Sequence, residues 1–544
     1  MTRGVHRSIL AYIHHRLWDF TSDQDIALFE TATTLFQNLI VHFSTVNLSE
    51  PFESNFTSEL LRLPCLEGLD EEIFDTATFC VLPYLRDPRF QTAVLEHRQL
   101  PLLWSVIEKA ASIPPAFRNS DLGTNIAGIE SQLSIDLTDI SSLPSFAGHL
   151  GADYAFIRTL CSRCVLTENT TDTPTVAVTA CILLGNYVLA SPNAASEVSG
   201  KIDLPSLFDL ISLHAYGRSR SRSISTSSSD QITAYSSPSG VPGPGSADAS
   251  NGSPAYLHAA AGLLRHLSRS PSVRNTHFLT PASTGAKARQ AALALSQYSH
   301  TAVQVQGLRL FRGLIADDTE GLVSCVKNGY LGVVMRVWHE AGTRAEGKAR
   351  AEAEGVKLEV GRGIVAMLKG LLQLQGEHKE RKETSEAEEV VATVLGTSDL
   401  VDALVFMAGQ AGAEKETTMA LARAEGYFGF VLLKKLGPRG TEMVVDALKR
   451  DDTWGLLSEQ VKSRDQDPVM SSGTTPQMPA IEKLNVGDSQ AATTATQSGS
   501  TDRARDNAVA LVVDLIRDSG LDDASREKLA GLLKDNDIFL GNGF

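Results

Sequence analysis

The stretch Thr175–Leu213, TVAVTACILLGNYVLASPNAASEVSGKIDLPSLFDLISL, decides the reading of the fold. Its first half, Val176–Leu189, is apolar almost without interruption and stops at Ala-Ser-Pro-Asn. A short segment, Ala194–Gly200, follows and closes on a glycine that can end a helix. Then Leu204, Leu207, Phe208 and Ile211 recur at i, i+3, i+4 and i+7, one face of a helix. The order is long helix, turn, short helix, glycine, medium helix. A unit of that kind cannot bury its apolar face alone, so it needs stacked copies of itself.

The rest of the 544-residue chain supplies candidates for those copies. Asp25–Phe43 reads as a long amphipathic helix, and its LFQNL resembles LLGNY at 183–187. Asp70–Leu85 is a further helix that Pro83 should kink or end. Phe90–Glu108 repeats the short-then-medium order, whereas Ser112–Ser145 reads as a loop with weak helices. Periodicity continues through Ala302–Ile315, with Gly329 placed as Gly200 is, and Gly363–Leu374 begins the next unit. Ala341–Gly361 reads as a charged insertion that extends a helix with polar residues.

Spacing gives a test of the repeat. Asn186 and His266 stand 80 residues apart, or 41 once the 39-residue stretch 217–255 is set aside. His266 and Gly313 are 47 apart; Gly313 and Gly370 are 57 apart, or 37 without the 20 charged residues at 341–360. Armadillo and HEAT units repeat at about 40–47 residues. The expected fold is therefore all-α, an armadillo/HEAT-type right-handed superhelical solenoid. Residues 1–216 form N-terminal repeats, 217–255 a Ser/Arg/Pro/Gly linker, and 256–462 C-terminal repeats. A second linker occupies 463–505, and a helical pair, 506–544, closes the chain.

Composition narrows the function. The formal net charge is −15 and the pI about 5.4. That balance repels nucleic-acid phosphates and favours basic partners. Six cysteines are scattered without a disulfide framework. Cys161 and Cys164 have CxxC spacing but no second pair and no nearby His pair, so they read as structural thiols rather than a zinc site. No segment at the start reads as a signal peptide, and no run of 18 apolar residues is present, so the expectation is a cytoplasmic protein with no integral membrane segment. Matches to the glycosylation pattern at Asn47, Asn55, Asn169 and Asn251 then read as chance. No P-loop, GxSxG, HExxH or dinucleotide turn is found, and neither a catalytic residue nor a cofactor is expected.

Four stretches carry a family resemblance: Ala180–Leu213, Ala259–Ser272 (AAAGLLRHLSRSPS), Val303–Ile315 (VQVQGLRLFRGLI) and Gly361–Leu374 (GRGIVAMLKGLLQL). In wording and order they resemble the armadillo-repeat small-GTPase GDP-dissociation stimulators (the smg GDS family), over about 176–440. The resemblance implies binding of Ras- or Rho-type small GTPases, including a basic prenylated tail, and promotion of GDP release without bond chemistry. A non-enzymatic armadillo scaffold or adaptor is the alternative. Partner-facing residues expected on this basis are Asn38, Asn186, Arg265, His266, Arg312, Glu386, Glu388 and Glu389. Asn38 and Asn186 fall where an armadillo groove presents a carboxamide to an extended peptide. Asn186 has a second reading, as a side chain that fixes a neighbouring loop. His266, beside Arg265, stands where the family repeat has asparagine. Glu386, Glu388 and Glu389 offer charge to a basic tail, or simply face water. A groove that grips such a tail should be open around Asn186 and His266 and flanked by acidic residues.

Overall fold

A computed structural model describes residues 8, 23–43, 52–66, 69, 71–114, 126–166, 174–191, 193–216, 253–279, 284–316, 318–343, 347–381, 385–397, 399–410, 417–462, 499–517, 521–536 and 538. Among them there is no strand, and the fold is an all-α solenoid. Residues 217–252 and 463–498, which cover nearly all of the two expected linkers, lie outside the described residues, as do the first seven residues.

The chain divides into two compact units, Met1–Leu310 and Phe311–Phe544. The first unit holds α1 (Asp23–Phe43), α2 (Ser54–Arg62), α3 (Glu71–Leu85), α4 (Pro88–Glu96), α5 (Leu100–Ser112), α6 (Ile126–Ser141), α7 (Phe146–Gly151), α8 (Tyr154–Arg163), α9 (Pro174–Ala190), α10 (Ala194–Ser199), α11 (Leu204–Tyr216), α12 (Pro254–Leu267) and α13 (Thr284–Ser296). The boundary falls inside α14 (Thr301–Ile315). The second unit continues with α15 (Thr319–Lys327), α16 (Tyr330–Gly342), α17 (Gly347–Arg381), α18 (Ser385–Leu395), α19 (Leu400–Ala408), α20 (Thr417–Lys435), α21 (Pro438–Leu448), α22 (Asp451–Lys462), α23 (Gly499–Ile516) and α24 (Asp523–Lys534). This division differs from the one that composition suggests. Helices α12 and α13 pack on α9 and α11, so the low-complexity stretch 217–252 interrupts one unit instead of separating two. Likewise α23 packs along α20 and belongs to the second unit.

Within the stretch that decided the fold, α9, α10 and α11 follow the expected order, and Leu204, Leu207, Phe208 and Ile211 are all buried. Each such side chain removed from water stabilises the unit by roughly 1.5–3 kcal/mol. The two glycines that precede medium helices differ. Gly329 takes φ 75 before α16, a left-handed conformation that a side chain opposes, whereas Gly200 stays right-handed at φ −73.

Paired hydrogen bonds show that α6 runs parallel to α9, and α17 to α20. Ser134 and Thr179 share one at 2.7 Å, and Asn186 Nδ2 donates to Ser141 Oγ at 2.6 Å. Both pairs are 45 residues apart, and they lie two helical turns from each other on α6 and α9. Cys80 Sγ donates to Thr33 O across α3 and α1 at a separation of 47, and His258 Nδ1 meets Ala302 O across α12 and α14 at 44. In the second unit, Arg362–Glu425 and Gln375–Leu436 tie α17 to α20 at separations of 63 and 61. A constant offset between neighbouring parallel helices is the structural form of the sequence repeat.

Two expectations need correction. The Ser112–Ser145 stretch contains a full 16-residue helix, α6, whose Ile129, Leu133, Leu137 and Ile140 are buried. Its interspersed polar residues weaken the periodic signal because one of them, Ser134, is itself bonded across a helix interface. Second, 341–361 is not a polar insertion: α17 is continuous from Gly347, and from Ala353 onward Val356, Leu358, Glu359 and Val360 are in the core. The spacing of 37 is therefore not realised, and the Arg312–Glu359 contact spans 47. Pro83 lies inside α3 two residues before the helix ends at Leu85, and its ring sits in solvent.

Candidate protein-binding face

Parallel packing gives the long helices of the first unit one shared solvent face. On α6 the residue after Ser134, Ile135, turns outward; on α9 the residue before Thr179, Val178, turns outward on the same side. From there Ile182, Asn186 and Leu189 follow at helical spacing on α9. On α3, Phe79 precedes Cys80 as Val178 precedes Thr179. Phe79 is 37% exposed, Ile135 51% and Leu189 47%. Only six large apolar side chains are exposed among the described residues, all in this unit, and these three share the face of successive helices. Two of the others, Leu28 and Leu35, lie on α1, and the sixth, Tyr154, carries Lys201 Nζ 3.9 Å above its ring.

The face continues onto α12. The α9–α12 contact brings Gly185 against His266, where a Cβ on the glycine would lie 3.7 Å from the imidazole. His258, Gly262 and Arg265 follow one side of α12 at i, i+4 and i+7, and Arg269 lies in the turn after the helix. Arg265 Nη2 meets His266 Nε2 at 3.3 Å, while His266 Nδ1 is buried with no hydrogen-bond partner. Burial, with Arg265 and Arg269 close by, pushes the His266 imidazole down to about 4, so it is neutral at pH 7. His258 is lowered by burial too, with Arg265, His300 and Arg309 adding to that effect and its bond to Ala302 opposing it. Asn186 and His266 are both half-buried on this face, with Arg265 and Arg269 close to the imidazole.

The expected partner-facing residues do not form one site. Asn186, Arg265 and His266 share this face. The Asn186 side chain spends its donor on Ser141, so it fastens α9 to α6, with the carbonyl oxygen left over as an acceptor. Asn38 is exposed on α1. Arg312 belongs to the second unit, where its Nη1 contacts Glu359 Oε2 at 3.2 Å and holds α14 to α17. Glu388 and Glu389 are exposed on α18, and the Glu386 side chain lies outside the described residues. Sequence reading missed Phe79, Ile135, Ile182 and Leu189. Helix α9 is apolar on nearly every side, so periodicity does not reveal which side faces water.

The second unit presents a different arrangement. Glu359, 2% exposed, pairs with Arg312 and with Arg362 Nη1 at 3.1 Å; Arg362 Nε also contacts Glu425 Oε2 at 2.7 Å. Asn507 Nδ2 donates to Ala424 O at 2.9 Å, linking α23 to the same region. An open cleft of about 500 Å³ lies between α22 and α24, where Lys528 Nζ sits 4.0 Å from the Trp454 ring. Lys462, Glu527 and Asp535 complete walls too polar for a lipid chain.

All six cysteines are free thiols, five of them buried and Cys65 half-buried. Cys164 Sγ donates to Cys161 O at 3.1 Å, Tyr256 Oη donates to Cys164 O at 3.0 Å, and burial pushes Cys161 up to about 12. Among the described residues no group of three or more His, Cys, Asp or Glu could hold a metal, and no single helix is long and apolar enough to cross a membrane.

No protein-family model matches the chain. No curated protein matches it. Among solved structures it is similar to the crystal structure of an engineered protein, at 13% identity and a TM-score of 0.45, over 95% of this chain and 99% of that one. No functional argument follows from a likeness of that extent.

Proposed function

We propose that the chain is an armadillo-type binding protein that engages small GTPases of Ras or Rho type in the cytosol and promotes GDP release. The observation that carries the binding role is the shared face of the first unit, where Phe79, Ile135 and Leu189 expose apolar surface on successive helices. Contiguous exposed apolar surface marks interaction sites in folded proteins. The GTPase part rests on the sequence resemblance. In its support, all four resembling stretches fall on long helices of the stack or on the helices that follow them: α9–α11, α12, α14 and α17.

Such a protein needs no acid, base or metal of its own. By binding the nucleotide-poor GTPase more tightly than the GDP form, it shifts the equilibrium toward release. A basic prenylated tail would be attracted to Glu388 and Glu389 on α18. The alternative is an adaptor without exchange activity, which the same exposed apolar row would serve equally well. Release of fluorescent GDP from a panel of Ras- and Rho-type GTPases, prenylated and not, separates the two. Acceleration of at least one member is expected. No acceleration and no complex with any member would remove the GTPase reading.

A further inference from the structure

The cleft between α22 and α24 is built from residues that neither the apolar face nor the ion network uses. Two helical rows form its walls. Trp454, Ser458 and Lys462 stand at i, i+4 and i+8 along α22, and Glu527, Gly531 and Asp535 stand at the same spacing along α24 and just past its end. Trp454 is half-buried, and Leu532, 6% exposed, adds apolar surface. Lys528 keeps its ammonium over the Trp454 ring. Among the described residues the side chains of Ser458, Lys462, Glu527 and Asp535 make no hydrogen bond or ion pair. One wall therefore offers an uncommitted cation and hydroxyl, and the other two uncommitted carboxylates. Between those carboxylates, a Cβ on Gly531 would meet no atom within 4 Å. Glycine is a poor helix former and nothing packs against this one, so what it leaves is room in the cleft. The volume, about 500 Å³, is that of a small-molecule site.

We propose that this cleft binds a free amino acid with a large apolar side chain. Its carboxylate would meet Lys462 and Ser458, its ammonium Glu527 or Asp535, and its side chain Trp454 and Leu532. Opposite charges on the two walls select a zwitterion. A simple anion is repelled by the carboxylates, and a simple cation by Lys462 and Lys528. The cleft lies within the second unit, and the inference does not depend on what the first unit binds.

The test uses the full chain and saturation-transfer NMR, with calorimetry for the stronger ligands. The panel is free leucine, methionine, phenylalanine and tryptophan, each with its N-acetyl and its carboxamide derivative, and glycine as a zwitterion without an apolar body. The free apolar members should bind roughly tenfold or more tightly than either derivative and than glycine, because each of those lacks one of the three contacts. Gly531→Leu puts a side chain into the cleft at a helical position with room for its Cβ. It should weaken binding at least ~10-fold while helicity and melting stay unchanged or rise. Lys462→Ala should erase the difference between an amino acid and its carboxamide. Glu527→Gln with Asp535→Asn should erase the difference between an amino acid and its N-acetyl derivative. The proposal is overturned if no apolar amino acid binds by about 10 mM, if glycine or either derivative binds as well as the apolar amino acids, or if the variants bind like the parent protein.

Discussion

The two units solve the same packing problem with opposite surface chemistry. In the first, parallel helices α6 and α9 are joined by small neutral contacts, Ser134 with Thr179 and Asn186 with Ser141, and leave apolar side chains facing water. In the second, α14, α17 and α20 are joined by ionised groups, Arg312, Glu359, Arg362 and Glu425, and no large apolar side chain is exposed among the described residues. A charge taken out of water must be paired, so the second arrangement fixes itself and offers little to a partner. Neutral hydroxyl and amide contacts leave the outward positions of the first unit unconstrained. The difference teaches that the stack itself does not determine which face binds; the residues that bridge neighbouring helices do.

The comparison can be broken most severely at Glu359. Glu359→Ala leaves Arg312 and Arg362 without their shared carboxylate and should destabilise the second unit by about 3–5 kcal/mol. Hydrogen exchange across 347–381 and 417–435 would read the loss, with the first unit unaffected. Equal loss in both units, or none, would refute the idea that the ion network belongs to the second unit alone.

The next effect is a pH dependence confined to the first unit. His266 titrates at about 4 in the folded chain against 6.5 for an unperturbed histidine. The unfolded chain therefore binds more protons between those values, and stability rises with pH across that window, by ~3 kcal/mol. Asp136 acts in the opposite sense. Burial raises it from 3.8 to about 6, so the folded chain binds more protons and stability falls as pH rises between those values. Between pH 4 and 6 the two contributions nearly cancel in the parent protein, so His266→Asn should make stability fall as pH rises and Asp136→Asn should make it rise. Exchange protection of 174–190 and 254–267 across that range checks both; variants whose profiles match the parent's would contradict them.

How far the sequence announced this difference depends on the kind of residue. Buried apolar residues at helical spacing, such as Leu204, Leu207, Phe208 and Ile211, were legible because periodicity reports which side is covered. Asn186 and His266 were legible as members of adjacent helices because the repeat spacing carries over the low-complexity stretch. Their roles were not, because whether an amide meets a neighbouring hydroxyl or a partner is decided by atoms 45 residues away. Ile182 and Leu189 were hidden within an apolar run, and Glu359 within a charged one. In both places composition overwhelmed periodicity, and only tertiary contacts separate the covered side from the open one.

Smaller effects sharpen the contrast. Asn186→Ala removes a neutral hydrogen bond and should cost about 1 kcal/mol, less than a third of the loss at Glu359. Ile135→Ser and Leu189→Ser should change stability by no more than ~0.5 kcal/mol, as expected of side chains open to solvent. A loss above ~2 kcal/mol at either would show that the position is packed.

Every feature of the face depends on parallel stacking in a fixed register, and cysteine cross-linking measures that directly. Ser134→Cys with Thr179→Cys, and separately Ser141→Cys with Asn186→Cys, should form disulfides under mild oxidation, identified by mass spectrometry. The crossed pairs, Ser134→Cys with Asn186→Cys and Ser141→Cys with Thr179→Cys, stand about 10 Å apart along the helix axis and should not. Cross-linking of the crossed pairs in place of the first two would mean antiparallel helices, and the shared face would not exist.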